Sequence, residues 1–204
     1  GMFAFAIWDT QKKKLFLARD RLGVKPLYYS IVNDDLLFSS EIKSILQYEE
    51  VERTLNYSAL SQFLTYAYTI DGQTLFKNIF ELLPGQKLVY YFDEKKPHIS
   101  NYWNLTLQNS SDSEDIILKK LEKLLTKSID LRLESDAPVG ALLSGGLDSS
   151  IMVAILNNIT DTPVKTFTTG FGHELDEYKE AKIVSEHCGT DHHEIELSYK
   201  KLTD

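Results

Sequence analysis

Val139-Gly140-Ala141-Leu142-Leu143-Ser144-Gly145-Gly146-Leu147-Asp148-Ser149-Ser150 decides how the second half of this chain folds. The run opens on small and aliphatic residues, the pattern of a buried parallel strand. It breaks at Ser-Gly-Gly and resumes as Ser150-Ile151-Met152-Val153-Ala154-Ile155-Leu156, long and apolar enough for a buried helix. A strand, a tight glycine turn and a helix N-terminus together make an anion site. The glycines let backbone N–H groups approach an oxyanion, the first helical turn adds unpaired donors, and the macrodipole favours negative charge. Ser144, Ser149 and Ser150 place hydroxyls around the same pocket. Asp148 would repel a phosphate unless a divalent cation sits between them. The stretch reads as a magnesium–polyphosphate site.

It is not the commoner nucleotide loop. Gly140 and Gly145 have the Walker spacing, but Gly146-Leu147 stand where the Lys-Ser/Thr pair belongs, so the lysine for β- and γ-phosphates is missing. Ser-Gly-Gly-Leu-Asp-Ser-Ser instead resembles the pyrophosphate loop of enzymes that split ATP into AMP and pyrophosphate. The competing reading, a plain glycine turn with incidental serines, would suit a lone Gly-Gly better than seven matching positions between a strand and a helix.

Downstream, Pro163–Phe171 is β-branched and aromatic and predicts a second strand. Asp176 is expected to cap a helix that Gly189 stops, and His193–Leu197 to begin a third strand. Upstream, Ser113 is expected to cap a helix to about Leu133, with Ile117, Leu121, Leu124 and Leu125 on its apolar face. Alternating helix and strand predicts a doubly wound parallel sheet, whose ligands sit at the carboxyl ends of the strands. Ser144 and Thr169-Gly170 both fall at such ends and can meet around one nucleotide. His187-Cys188…Asp191-His192-His193 matches no standard zinc spacing and is read as structural.

Gln108–Asp112 is polar and reads as a linker. Before it lies a meander of short strands. Residues 1–9 are apolar almost throughout and predict a strand covered on both faces. Leu15–Ala18, Leu27–Ser30, Leu36–Phe38 and Gln86–Phe92 follow, with Ile99–Leu107 as a last extended piece. Ser40 is expected to cap a short helix, Glu41–Gln47. Asn56 is expected to cap another, with Leu60, Phe63, Leu64 and Ala67 on one face, ended by Asp71-Gly72. Arg19-Asp20-Arg21 is the dense charge cluster of this half, and a salt-bridged loop is favoured over a substrate contact.

At 204 residues, 43% apolar and 25% charged, the composition is that of an ordinary soluble globular protein. A net charge of −8, with no basic block beyond Lys12–Lys14, argues against a nucleic-acid partner. No apolar run approaches membrane-spanning length, so no membrane partner is expected. One cysteine, Cys188, excludes an internal disulfide and fits a cytoplasmic location.

With both halves in view, the chain resembles the glutamine-dependent asparagine synthetases. Gly1–Asp9, Ala18–Tyr29 and Phe38–Lys43 are similar to the later part of that family's amidotransferase domain. Leu82–Gly85 and Tyr102–Leu105 resemble its exit into the synthetase domain. Leu142–Ser150, Thr166–Gly172 and Gly189–Glu194 resemble the start of that second domain. The resemblance implies an α+β region followed by an α/β region. Residues 1–107 would be the C-terminal part of a class II glutamine amidotransferase domain, a partial N-terminal-nucleophile-type antiparallel sheet. Residues 112–204 would be the N-terminal part of an ATP-pyrophosphatase synthetase domain.

The family's chemistry joins aspartate, ATP and glutamine-derived ammonia through an aspartyl-AMP intermediate, releasing AMP and pyrophosphate. Carried over by position, Ser144, Gly145, Gly146, Leu147, Ser149 and Ser150 would hold pyrophosphate, and Asp148 would help bind magnesium. Leu142, Thr169 and Gly170 would flank the adenosine, where a hydrophobic residue is more usual than Thr169. The family's N-terminal nucleophilic cysteine and its downstream acidic loop have no counterpart in this chain. It is therefore expected to be an internal fragment with no complete catalytic site, inactive alone. The alternatives are a relative that adenylates another carboxylate, as β-lactam-forming synthetases do, and a non-catalytic nucleotide-binding scaffold. A homodimer is left open.

Overall fold

The computed structural model describes residues 1–173 and 176–198, and the chain divides into two compact units, Gly1–Gln108 and Asn109–Asp204. In the first unit, β1 (Ala4–Asp9) and β2 (Lys14–Arg19) form a hairpin. β3 (Tyr28–Val32) and β4 (Asp35–Ser39) form another, closed by Asn33 and Asp34 at φ 49° and 70°, the left-handed pair that a two-residue hairpin turn requires. Helices α1 (Ile42–Ile45) and α2 (Tyr57–Tyr66) precede β5 (Ile79–Glu81), β6 (Gln86–Tyr91) and β7 (Lys96–Asn101). The strands make two antiparallel sheets, β1-β2-β6-β7 and β4-β3-β5. Leu17, Leu27, Leu82, Leu88 and Tyr90 form one core cluster, and Ile45, Val51 and Ile79 another.

Several local expectations are corrected. The first strand is not covered on both faces: β1 is the edge of its sheet, and Phe5, Ile7 and Trp8 are exposed. The short helix begins at Ile42, and the hydroxyl that accepts at its entrance is that of Ser39, from the Glu41 N–H, rather than that of Ser40. α2 ends at Ala67 in the left-handed region (φ 62°), well before Asp71-Gly72, and Leu64 points to solvent. The last strand, β7, starts at Lys96 rather than Ile99. Asn56 does cap α2, its Oδ1 accepting from the Ala59 N–H at 3.3 Å. Asn56→Ala is expected to cost about 1 kcal/mol of stability in urea denaturation, the usual value of such a cap.

Arg19 and Asp20 are both buried, and each is tied to backbone. Arg19 donates to the carbonyls of Lys25, Leu82 and Gly23 at 2.7–2.9 Å and pairs with Glu81 at 2.6 Å. Asp20 accepts from the N–H groups of Phe3, Leu22, Val24 and Lys25 at 3.0–3.3 Å. Arg21 lies over the Trp103 ring, 5.7 Å from its centre. The cluster is the structural frame of the loop after β2.

In the second unit, α3 (Glu114–Asp130) leads through β8 (Gly140–Leu142), α4 (Leu147–Ile159), β9 (Lys165–Gly170), α5 (Tyr178–Cys188) and β10 (Asp191–Glu196). The three strands are parallel, in the order β10-β9-β8. Register pairs Ala141 with Thr166 and Thr166 with His192, so these three share one face; Leu142, Phe167 and His193 share the other. The helices pack on the first face. Leu143, Val153 and Ala181 form one cluster with Ala141, while Ile129, Leu156 and Val164 form a second that also reaches it. On the opposite face Leu142 is 78% exposed and Phe167 stacks on His193 at 5.2 Å.

The hydroxyls of Ser185, Thr190 and Thr166 and Nδ1 of His192 form a chain of hydrogen bonds of 2.9–3.0 Å between α5 and the sheet. α3 is shorter than the expected span to Leu133. Ile117, Leu121 and Leu124 remain exposed, and only its far end, at Ile129, is buried. The Ser113 side chain makes no capping bond.

Candidate functional site

β8 carries the chain into the glycine loop at its carboxyl end. Leu143 is buried, its N–H donating to the Phe167 carbonyl at 2.9 Å. The Thr168 hydroxyl donates to the Leu143 carbonyl, so both polar groups of Leu143 are fastened to β9 before the turn begins. Gly145 then turns at φ +77°. A Cβ there would lie 2.4 Å from the Glu180 carbonyl carbon and 2.6 Å from the Ala181 nitrogen. The turn therefore needs glycine twice over, for its left-handed backbone and for the helix pressed behind it.

Gly146 occupies the N-cap position of α4 and offers no side chain to the first turn. The loop's hydroxyls close on one another instead. Ser144 Oγ and Ser149 Oγ are 2.9 Å apart, and Ser150 Oγ donates to the Gly146 carbonyl at 2.7 Å. The Ser144 N–H reaches Ser149 Oγ at 3.3 Å, and the Gly146 N–H reaches Ser144 Oγ at the same distance. Contacts that long are weak, and a phosphate oxygen is a shorter and stronger acceptor for the same donors. Two of the loop's N–H donors, those of Ser144 and Gly146, are thus held only by weak contacts, which suits an anion.

Beside it is a cavity of about 190 Å³ lined by Leu142, Leu143, Ser144, Ser149, Phe167, Thr168, Thr169 and Glu177. Leu142, Ser144, Ser149 and Thr169 meet there as the sequence implies. Gly145 and Gly170 do not line it; they stand behind, where helix α5 and the residues before it approach too closely for a Cβ. Leu147 and Asp148 are exposed on the first turn of α4. Phe167 and Glu177 are additions that sequence reasoning missed. Phe167 enters because register places it beside Leu142, and Glu177 because the chain returns to the cavity at the start of α5. Larger open clefts occur elsewhere, such as the one of about 530 Å³ lined by Leu36–Ser39, Ser44 and Tyr48, but no glycine loop lines it.

Asp176, expected to cap α5, faces the other way. Its carboxylate accepts from the N–H groups of Phe171, Gly172 and His173 at 2.7–3.1 Å. Partial burial opposes its ionisation, but these donors and the nearby His173 outweigh that and hold its carboxyl below the ordinary carboxylate range. Among the described residues, those near the end of α5 included, no three His, Cys, Asp or Glu side chains are grouped to hold an ion. His193 lies 3.3 Å from Asp191, and His192 is bonded to Thr166. No helix among the described residues is long and apolar enough to cross a membrane.

Comparison with known proteins addresses both units. A family model described as glutamine amidotransferase domain matches residues 1–103, and one described as asparagine synthase matches residues 120–204. The chain is 35% identical to a putative asparagine synthetase [glutamine-hydrolyzing] 2 of Methanocaldococcus jannaschii, over all of this chain and 41% of the relative. It is 34% identical to asparagine synthetase [glutamine-hydrolyzing] 3 of Bacillus subtilis, over all of this chain and 36% of that protein. A Penicillium rubens protein, amidase chyE, is 33% identical over 99% of this chain and 32% of its own length. The chain thus spans about two fifths or less of the relatives it matches. An amidotransferase match followed in order by a synthase match, with relatives that align along the whole chain, means that this chain belongs to the glutamine-hydrolysing asparagine synthetase family.

Proposed function

We propose that the protein to which this chain belongs makes asparagine from aspartate, ATP and glutamine-derived ammonia, in the cytoplasm, through aspartyl-AMP with release of AMP and pyrophosphate. One observation carries the reading: Ser144 and Ser149 of the glycine loop line one cavity with Leu142 and Thr169, at the carboxyl ends of two parallel strands. That is where α/β sheets bind ligands. Residues 1–107 would supply the later part of the amidotransferase domain, and residues 112–204 the opening of a doubly wound synthetase domain. The open Leu142–Phe167–His193 face is where such a fold would add its second helical layer.

In this reading Ser144, Gly145, Gly146, Leu147, Ser149 and Ser150 hold the leaving pyrophosphate. Their N–H and hydroxyl groups stabilise the negative charge that builds on it as the substrate carboxylate displaces it from the α-phosphorus. Leu142 and Thr169 flank the adenosine, with Gly170 behind. Asp148 fits magnesium as a single protein carboxylate, since that ion is commonly held by one or two carboxylates together with phosphate oxygens and water. When bound, the ion neutralises phosphate charge.

Pyrophosphate release by the whole protein with Mg-ATP and aspartate tests this, with ammonia or glutamine as nitrogen source. Aspartate-dependent release with both sources is the expected result. Release only with a different carboxylate would favour the second reading, an amide-forming relative with another acceptor, which the similarity to a protein named as an amidase keeps in view. No release with any carboxylate, despite ATP binding, would leave a nucleotide-binding scaffold.

A further inference from the structure

We infer that Asp176 is a positioning residue for the nucleoside half of the ATP site, an inference that rests on the nucleotide reading above. The chain leaves the cavity at Thr169 and re-enters it at Glu177, so Gly170–His173 and Asp176, which lie between, help to set the distance between those two walls. Asp176 ties that excursion shut. Both carboxylate oxygens accept from Phe171 N–H, and Oδ2 also takes the N–H groups of Gly172 and His173 at 2.7 and 2.8 Å. The clamp leaves no room at Gly170, where a Cβ would lie 2.6 Å from the Asp176 carboxyl carbon and 2.7 Å from Tyr178 Cζ. Tyr178 in turn donates to the Ile195 carbonyl at 3.1 Å, and Leu197 N–H to the Gly170 carbonyl at 2.7 Å, so the clamped end of β9 is fixed to the end of β10 as well.

The phosphate half is braced separately. Gly145 is backed by the main chain at Glu180–Ala181, and Ala181 is buried with Leu143 and Val153. Loss of the Asp176 clamp therefore lets Glu177 shift against Thr169, which the sheet still holds, and leaves the Ser144–Ser150 loop where it is. Positioning in this sense makes a split that a general loss of structure does not: affinity for ATP and AMP falls, while affinity for magnesium pyrophosphate stays.

The test is calorimetric titration of the full-length protein with Mg-ATP, AMP and magnesium pyrophosphate. Asp176→Ala is expected to weaken ATP and AMP about tenfold, on the order expected for losing charge-assisted hydrogen bonds, with pyrophosphate changed less than about twofold. Gly170→Ala, which pushes the carboxylate aside from the opposite direction, is expected to show the same split. Where Asp176→Ala fails to fold, Asp176→Asn, which keeps one acceptor oxygen, carries the test with a smaller loss of the same kind. Unchanged ATP affinity in Asp176→Ala overturns the inference, as does a parallel loss for nucleotide and pyrophosphate. A wild-type protein that binds neither ligand overturns the nucleotide reading and this inference with it; a wild type that binds ATP with no split in the variants overturns this inference alone.

Discussion

Asp20→Ala is expected to destabilise the first unit by roughly 3–5 kcal/mol, a large share of the stability of an ordinary domain. The carboxylate is 1% exposed and accepts four backbone N–H groups, from Phe3 before β1 and from Leu22, Val24 and Lys25 in the loop after β2. Alanine leaves those donors facing a void, and each buried unpaired donor costs about 1–3 kcal/mol, partly relieved by entering water. The damage spreads, because the same loop holds Arg19, whose guanidinium bonds to the Lys25 and Gly23 carbonyls and reaches Leu82 and Glu81. Asp20→Asn is expected to rescue little, since its NH₂ group turns a donor toward donors. Both tryptophans, Trp8 and Trp103, lie in this unit, so urea denaturation followed by tryptophan fluorescence reads it directly.

The pH dependence of the same site has a definite sign. Burial, the largest influence on Asp20, opposes ionisation, but the N–H donors of Lys25, Val24, Leu22 and Phe3 outweigh it and hold the carboxyl below its ordinary value. A carboxyl lowered on folding contributes stability above its unfolded pKa, about 3.9, and that contribution is lost as pH falls through the folded value. The wild-type protein is expected to lose this contribution below about pH 4, and Asp20→Ala to lack it at every pH. A variant as stable as wild type at pH 7 would show that the four N–H groups find other partners.

What the sequence disclosed about this molecule follows how far each cause reaches along the chain. The strand–loop–helix at Gly140–Ile159 is legible because its causes are local: an apolar run, two glycines and a second apolar run. Asn56 as the cap of α2 is legible for the same reason. Edge and centre are not local properties. β1 has the composition of a strand covered on both faces, yet its place at the sheet margin leaves Ile7 and Trp8 about half exposed. The apolar face of α3 is equally plain in sequence, but periodicity says which residues seek cover without saying what covers them, and Ile117, Leu121 and Leu124 stay exposed.

Of the residues that line the cavity, Leu142, Ser144, Ser149 and Thr169 could be named in advance, whereas Phe167 and Glu177 could not. Phe167 reaches the cavity through parallel register with Leu142, a pairing between segments 25 residues apart. Asp176 shows a local rule yielding to a local competitor. Capping statistics assign it to the helix that follows, yet it turns back to three N–H groups that precede it.

Under the proposed function, Gly145→Ala is expected to reduce pyrophosphate release by the whole protein at least about a hundredfold. Two costs coincide at this position. A left-handed backbone, φ +77°, strains any residue with a Cβ by roughly 1–2 kcal/mol. The added methyl would also sit 2.4 Å from the Glu180 carbonyl carbon and 2.6 Å from the Ala181 nitrogen, and main-chain atoms cannot rotate away as a side chain would. Ala181 is fully buried against Leu143 and Val153, so α5 is held in place and the loop must yield instead. A shift of about 1 Å there carries the Ser144 and Gly146 N–H groups off their acceptor, and misplacement of that size can cost about 100-fold in rate.

Because the loop rather than the core absorbs the displacement, the thermal midpoint is expected to fall by only a few degrees while pyrophosphate affinity collapses. This pattern is the opposite of that for Asp176→Ala, where nucleotide affinity falls and pyrophosphate affinity stays. The two variants, titrated side by side with ATP and pyrophosphate, therefore separate the phosphate half of the site from its nucleoside half. Normal pyrophosphate release from Gly145→Ala would mean that α5 moves instead of the loop, and that the loop's geometry is not what holds the leaving group.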